Sequence, residues 1–153
     1  RMVLLRIIED DAFVFFTNYG SKKAREAFLT NKVAFNIHWK SLRRQIRVRG
    51  HVEKEDGMIA DKYFSEREVG SQTAAWASKQ SETLTDRQEL IERWQYYKNQ
   101  FEKNVVRPDF WGGIRIKPIQ IEFWADGQYR LHDRFVWERE VGEKVWDVRR
   151  LYP

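Results

Sequence analysis

Hydrophobic and polar positions alternate most cleanly between Gln45 and Lys54, where Ile46, Val48, Gly50 and Val52 point one way and Gln45, Arg47, Arg49, His51 and Glu53 the other. A period of two predicts a strand with one face in the core. Upstream, Arg1 to Ile8 and Ala12 to Thr17 are apolar and β-branched or aromatic, and the acidic Glu9-Asp10-Asp11 between them predicts a hairpin. Ser21 to Asn31 reads as a short helix and Val33 to Trp39 as a strand. From Met58 to about Lys103 the texture is helical. There, Thr85-x-x-Gln88 has the form of a capping box, and Leu90, Trp94, Tyr97 and Phe101 fall on one face, a stripe that serves core packing in most helices. Strands return at Gly113 to Lys117, Ile119 to Trp124, Phe135 to Glu140 and Val145 to Leu151. The pattern predicts a mostly β fold with inserted helices, arranged as a small antiparallel barrel.

The length of 153 residues suits a single domain over 1–153 with a real core. No apolar run is long enough to span a bilayer as a helix and no signal-peptide pattern opens the chain, so the expectation is a soluble, cytoplasmic protein without a membrane partner. The absence of cysteine excludes disulfides and thiolate metal sites. His38, His51 and His132 lack the spacing of metal ligands, and no metal is expected. The net charge of +5 and seven tryptophans also suit a single-stranded nucleic acid, yet 28 basic residues face 23 acidic ones with no basic tract. A small anionic ligand explains that balance as well as a polyanion does.

Candidate chemistry gathers in three places. Between Ile121 and Phe135, Arg130, His132 and Arg134 are two apart, so an extended segment would present all three on one face; the alternative is a charged edge strand that discourages pairing. Lys22 and Lys23 would sit in the first turn of a helix opening at Ser21, where the macrodipole is already positive; a bound phosphate would relieve that crowding, unless both lysines turn to solvent. Tyr63, Arg67 and Ser71 are spaced four and four around an expected helix break at Val69-Gly70, with Ser71 capping the next helix. They can converge on an anion, or else Tyr63 packs, Arg67 is solvated and Ser71 only caps.

Six separated blocks then agree with one family. They are R-M-V-L-L at Arg1 to Leu5, S-K-K-A at Ser21 to Ala24, R-Q-I-R-V-R-G at Arg44 to Gly50, A-W-A-S-K-Q-S at Ala75 to Ser81, F-W-G-G at Phe110 to Gly113, and W-x-x-G-x-x-R-L-H-D-R at Trp124 to Arg134. In this order and over nearly the whole chain, they resemble pyridoxamine 5'-phosphate oxidase. The resemblance implies a split antiparallel β-barrel that binds flavin mononucleotide (FMN), works as a homodimer with sites at the subunit interface, and oxidises pyridoxamine or pyridoxine 5'-phosphate to pyridoxal 5'-phosphate with oxygen, giving hydrogen peroxide. No nucleic-acid partner follows from it.

The resemblance also implies residue roles. Arg1, Met2, Val3, Leu4, Leu5, Phe16, Thr17, Lys22, Lys23, Gln45, Gln80, Ser81, Trp124 and Arg134 match the flavin contacts, with Arg1 and the lysine pair on its phosphate. Arg6, Tyr63, Arg67 and Ser71 match the substrate side, and Arg130 and His132 match the pair placed over the substrate ring, which makes them the expected catalytic residues. Gly112 and Gly113 fit a tight backbone path. Departures are Arg6 where lysine is usual, Ser65-Glu66-Arg67-Glu68 with two acids and no proline, and Ala74 where glycine is frequent. The chain opens on a motif that in the family follows an N-terminal helical segment and a first strand; a barrel lacking that strand would bare an edge. Two other functions fit the sequence: a related oxidase acting in phenazine biosynthesis, and a non-catalytic vitamer- or nucleic-acid-binding module.

Overall fold

A computed structural model describes residues 1–101 and 104–153. Its strands are β1 (Leu5–Glu9), β2 (Ala12–Asn18), β3 (Val33–Trp39), β4 (Arg44–Glu55), β5 (Trp111–Ala125), β6 (Asp133–Glu138) and β7 (Asp147–Leu151). Its helices are α1 (Lys22–Thr30), α2 (Met58–Ser65), α3 (Val69–Ala77) and α4 (Arg87–Phe101). The helical texture expected to about Lys103 is followed to Phe101; Lys103 lies outside the described residues.

All strand pairs are antiparallel, and β5 is the spine of the sheet. Along one edge it pairs with β4 from Gly113 to Ala125, while the other edge is shared, Trp111 to Ile116 going to β2 and Gln120 to Ala125 to β6. The sheet order β1-β2-β5-β4-β3, with β6 and β7 branching from β5, does not close on itself among the described residues. This is the mostly β, inserted-helix architecture expected, in its split, open form.

The expected strands Gly113–Lys117 and Ile119–Trp124 are one continuous strand. Pro118 has no N–H to give the ladder, but it faces Gly50 where the register slips between Arg49 and Gly50, so a bulge absorbs the missing donor. A Cβ on Gly50 would stand 2.4 Å from the Lys117 carbonyl oxygen, which requires glycine at that crossing. At the start of the chain the strand begins at Leu5, and Arg1 to Leu4 run as irregular, exposed backbone.

Two apolar clusters hold the fold. Ala24 and Ala27 of α1 lie against Val52, Ile114 and Ile116, with Phe13, Phe28 and Phe35 around them. Small residues three apart let the helix sit close to the sheet. The second cluster, Phe64, Val105 and Trp111 with Phe16, Tyr63 and Trp76, joins the helices to the end of β2 and β5. The α4 stripe packs on α3 instead of the sheet and stays half-buried: Trp94 Nε1–H donates to the Gly70 carbonyl at 3.1 Å, and Trp76 meets Tyr97 and Phe101 at 5.7 and 5.1 Å between ring centroids. Its cap is Asp86, whose Oδ1 accepts the Gln88 N–H at 3.0 Å, while the Gln88 side chain reaches Glu92, so the Thr85 box does not form.

Candidate functional site

The break between α2 and α3 falls at Glu66–Glu68, ahead of the expected Val69-Gly70. Glu68 occupies the cap position, and Ser71 lies inside the first turn of α3 with its N–H on the Glu68 carbonyl at 2.8 Å. Ser71 is therefore not the cap. Buried Gln72 fixes this corner by donating its amide to the carbonyls of Phe64, Ser65 and Arg67 at 3.1, 3.1 and 2.9 Å. The corner aims Arg67 into a cleft of about 730 Å³, the size of a cofactor or metabolite pocket.

One wall of the cleft is a parallel aromatic stack. Phe16 lies 4.0 Å from Tyr63 and 5.6 Å from Trp111, the rings within 12° of parallel. The Arg67 guanidinium covers Trp111 at 4.8 Å and Arg6 covers Tyr63 at 5.7 Å. Tyr63, Arg67 and Ser71 thus meet at one cleft, as their spacing allowed, and Arg6 joins them there. Arg67 Nη1 is buried without a hydrogen-bond partner, the one side-chain atom so placed among the described residues. Burial holds the Arg67 pKa below its ordinary value. A buried donor without a partner is costly, and an anion in the cleft would remove the cost.

Further along, the cleft has a second cationic corner. Lys23 donates to Gln80 Oε1 at 2.7 Å and to the buried Ser21 Oγ at 3.1 Å, and Thr17 Oγ1 donates to the same Gln80 oxygen at 3.1 Å. Burial first, and the Arg1 charge second, lower the Lys23 pKa. Arg1, Met2, Val3, Leu4, Phe16, Thr17, Lys23 and Gln80 all line the cleft. Lys22 does not: it turns outward to Glu26 at 3.8 Å with its side chain 70% exposed. Consecutive helical residues point about 100° apart, so one lysine faces the cleft and the other cannot. Leu5 is half-buried on β1, and Ser81 is exposed at a left-handed turn with φ 77°; neither lines the cleft.

The remaining expected residues occupy the opposite end of β5. Gln45 pairs with Trp124, and Trp124 with Arg134. Arg130, His132 and Arg134 do not share an extended segment. Gln128–Arg130 is a 3₁₀ turn, Tyr129 and Arg130 have φ of 54° and 66°, and β6 begins only at Asp133. The turn is forced by close packing, since a Cβ on Gly127 would stand 2.1 Å from the Leu131 carbonyl oxygen. Arg130 is exposed, whereas His132 packs on Trp124 at 4.8 Å between ring centroids. Arg134 donates through Nε to buried Glu122 at 2.9 Å, and that hydrogen bond raises its pKa.

Trp111 and Trp124 stand thirteen residues apart on β5, roughly 40 Å along the strand at ~3.3 Å per residue. One ligand cannot touch both ends within a chain. The sequence reading missed Trp111, Asn18 and Ser78 as cleft residues, although Trp111 stood inside the quoted F-W-G-G block. Glu66 and Glu68 also line the cleft, but Glu66 leans to Lys62 at 3.9 Å and both side chains are well exposed, where water screens them. Two cationic corners, an aromatic wall and hydroxyl and amide groups match a ligand with phosphate and a planar ring, so the residues present fit flavin mononucleotide. Among the described residues no helix is long and apolar enough to cross a membrane.

Comparisons with known proteins agree. Residues 1–100 match the family profile described as pyridoxamine 5'-phosphate oxidase, and residues 111–153 match that of the pyridoxine 5'-phosphate oxidase C-terminal dimerisation region. Relatives named pyridoxine/pyridoxamine 5'-phosphate oxidase from Roseobacter denitrificans and Ruegeria sp. are 58% and 56% identical over the whole chain, which covers 76% of each. Among solved structures, PhzG from Burkholderia lata 383 in complex with tetrahydrophenazine-1-carboxylic acid superposes with a TM-score of 0.91 at 29% identity, covering 100% of this chain and 74% of that one. A pyridoxamine 5'-phosphate oxidase-related, FMN-binding protein from Nostoc punctiforme shares the fold at a TM-score of 0.75 and 13% identity, covering 100% of this chain and 79% of that one.

Proposed function

The chain belongs to the pyridoxamine 5'-phosphate oxidase family, FMN-dependent oxidases, and from that premise we propose that it converts pyridoxamine 5'-phosphate and pyridoxine 5'-phosphate to pyridoxal 5'-phosphate with dioxygen as acceptor. Two electrons and two protons leave the substrate and appear as hydrogen peroxide; from the amine, water enters and ammonia departs. Flavin mononucleotide, when bound, supplies the two-electron acceptor chemistry that no side chain here has. The observation that carries the reading is Arg67, a half-buried guanidinium over Trp111 whose Nη1 is buried without a partner, set in a cleft that also holds Arg6 and Tyr63.

In this reading Arg67, Tyr63, Ser71 and Arg6 bind the substrate phosphate, and Lys23, Arg1, Thr17 and Gln80 bind the flavin phosphate. Gln45, Trp124, Arg130, His132 and Arg134, at the other end of β5, serve the cleft of a second copy. The matched dimerisation region and the separation along β5 both support that assembly. Arg130 and His132 of the partner subunit orient the substrate ring, and holding the reacting carbon in a near-attack pose accelerates reaction by itself. In this reading His132 would also help to move the proton of the amine or hydroxyl. The test is an anaerobic titration of the flavin-loaded protein with pyridoxamine 5'-phosphate. The visible flavin band should bleach and return with air, releasing peroxide; no bleaching refutes the reading.

Glu66 and Glu68 at the cleft, together with the likeness to PhzG, favour a second reading in which the substrate is a non-phosphorylated tricyclic carboxylate. Bleaching by a tetrahydrophenazine carboxylate but not by pyridoxamine 5'-phosphate would establish it.

A further inference from the structure

We infer that Glu122 is a positioning residue for the flavin: its buried carboxylate sets the plane of the Arg134 guanidinium, acting through geometry rather than charge. This rests on the reading of Arg134 as a flavin contact. Strand register brings the groups together. Gln45, Trp124 and Arg134 are cross-strand partners on β4, β5 and β6, and Arg47 and Glu122 are partners one row further along. Side chains two apart on a strand share a face, so Glu122 stands with Arg47, Trp124 and Arg134 on one surface of the sheet.

Each carboxylate oxygen has its own guanidinium. Oε1 accepts from Arg134 Nε at 2.9 Å and Oε2 from Arg47 Nη1 at 3.3 Å. The two pairs are unequal. The Arg47 side chain is 58% exposed, where water can replace the carboxylate at little cost, whereas the side chains of Arg134 and Glu122 are 26% and 10% exposed. Arg47 thus offsets the charge of the carboxylate, and what Glu122 gives Arg134 is direction. Arg134 is held from a second side as well, because Nη1 donates to the Tyr152 carbonyl at 2.9 Å. Hydrogen bonds at both Nε and Nη1 fix the plane of the guanidinium. Among the described residues no protein group accepts from Nη2, and that atom is not buried, so its donors stay open to a ligand.

Stability does not account for a carboxylate at this place. Desolvation offsets most of the attraction in a buried ion pair, and an apolar side chain of like volume would hold the centre of β5 about as well. What an apolar side chain cannot do is engage Arg134 at Nε and leave Nη2 unspent.

The experiment is equilibrium dialysis of the flavin-loaded protein, with Glu122 altered in charge and in reach separately. Glu122→Gln keeps an acceptor oxygen at the same distance, whereas Glu122→Asp keeps the charge on a stem one methylene shorter. Glu122→Gln should hold flavin mononucleotide within about threefold of the wild type, and Glu122→Asp and Glu122→Ala about tenfold more weakly, the loss of one hydrogen bond to a charged group. Glu122→Ala should cost nothing further in an Arg134→Ala background. At saturating flavin, the Arg134 Nε–H resonance, assigned with Arg134→Ala, should exchange slowly with water in the wild type and Glu122→Gln and fast in Glu122→Asp. Wild-type affinity in Glu122→Asp with a loss in Glu122→Gln would make charge the cause and overturn the inference, as would a full Glu122→Ala loss without Arg134. If Glu122→Ala does not fold, the Gln and Asp variants decide. Wild-type affinity in Arg134→Ala would instead overturn the reading of Arg134 as a flavin contact, while the Nε–H resonance still reports on Glu122.

Discussion

Replacing Arg67 with methionine separates binding from folding. The methionine stem keeps the apolar contact with Phe64 and Trp111 while the guanidinium disappears. Losing the cation over Trp111 costs about 1 kcal/mol. Removing a buried donor without a partner returns about 1–3 kcal/mol, so the free protein should melt no earlier than the wild type. With substrate bound the balance reverses. Hydrogen bonds to a charged group contribute about 1.5–3 kcal/mol each, and two of them to one phosphate, at the lower value, make about 3 kcal/mol. At 1.4 kcal/mol per factor of ten, KM for pyridoxamine 5'-phosphate should rise about 150-fold in Arg67→Met. Steady-state kinetics with pyridoxamine 5'-phosphate and with unphosphorylated pyridoxamine measure this, and the loss should be confined to the phosphorylated substrate. An unchanged KM, or equal loss on both substrates, would refute the phosphate assignment.

Other expectations follow from single features. Lys23→Ala should weaken flavin mononucleotide binding about tenfold or more by fluorescence titration, whereas Lys22→Ala, already turned to Glu26, should leave it within about twofold. Gly50→Ala drives a Cβ onto the Lys117 carbonyl and should cost about 2 kcal/mol or more, a fall in Tm of about 4–8 °C by calorimetry. Burial, and then the Asp56 carboxylate, push the Tyr19 phenol up to about 12. Between pH 10 and 12 the unfolded chain gives up this proton while the native state keeps it, so stability should fall across that window; ultraviolet difference titration against Tyr19→Phe should find the Tyr19 phenol ionising at about 12.

The parts of the fold legible in the sequence are those where local pattern and tertiary environment agree. Alternation through β4 survives because one face of that strand meets α1 and the other meets solvent, and the Ser21 to Asn31 helix stands with Asn31 as its left-handed C-cap. Pro118 misled because the register slip that accommodates it, with Ile119 of β5 left unmatched, is set by pairing with Gly50, sixty-eight residues earlier in the chain. Asp86 outcompeted Thr85 as a cap because both are acceptors and only the chain path chooses between them. The extended reading of Arg130 to Arg134 failed at Asp126-Gly127, a turn dipeptide whose signal was present. Lys22 and Lys23 read as a pair in the sequence, yet adjacent helical positions diverge and only Lys23 lines the cleft. The division of the expected site between two ends of β5 was not readable from motif order, because a motif carries no distance.

In the proposed dimer, one oxidase site is built from the cleft of one chain and the β4–β6 end of another. Subunit complementation tests it directly: a Lys23→Ala, Arg67→Met chain is mixed with a His132→Ala, Arg134→Ala chain after reversible dissociation. Each parent should be nearly inactive. If sites form across the interface, each mixed dimer has one intact and one doubly damaged site, and random reassembly of an equal mixture should restore about a quarter of wild-type activity. Mixed dimers that form, by mass, and remain as inactive as their parents would contradict the account.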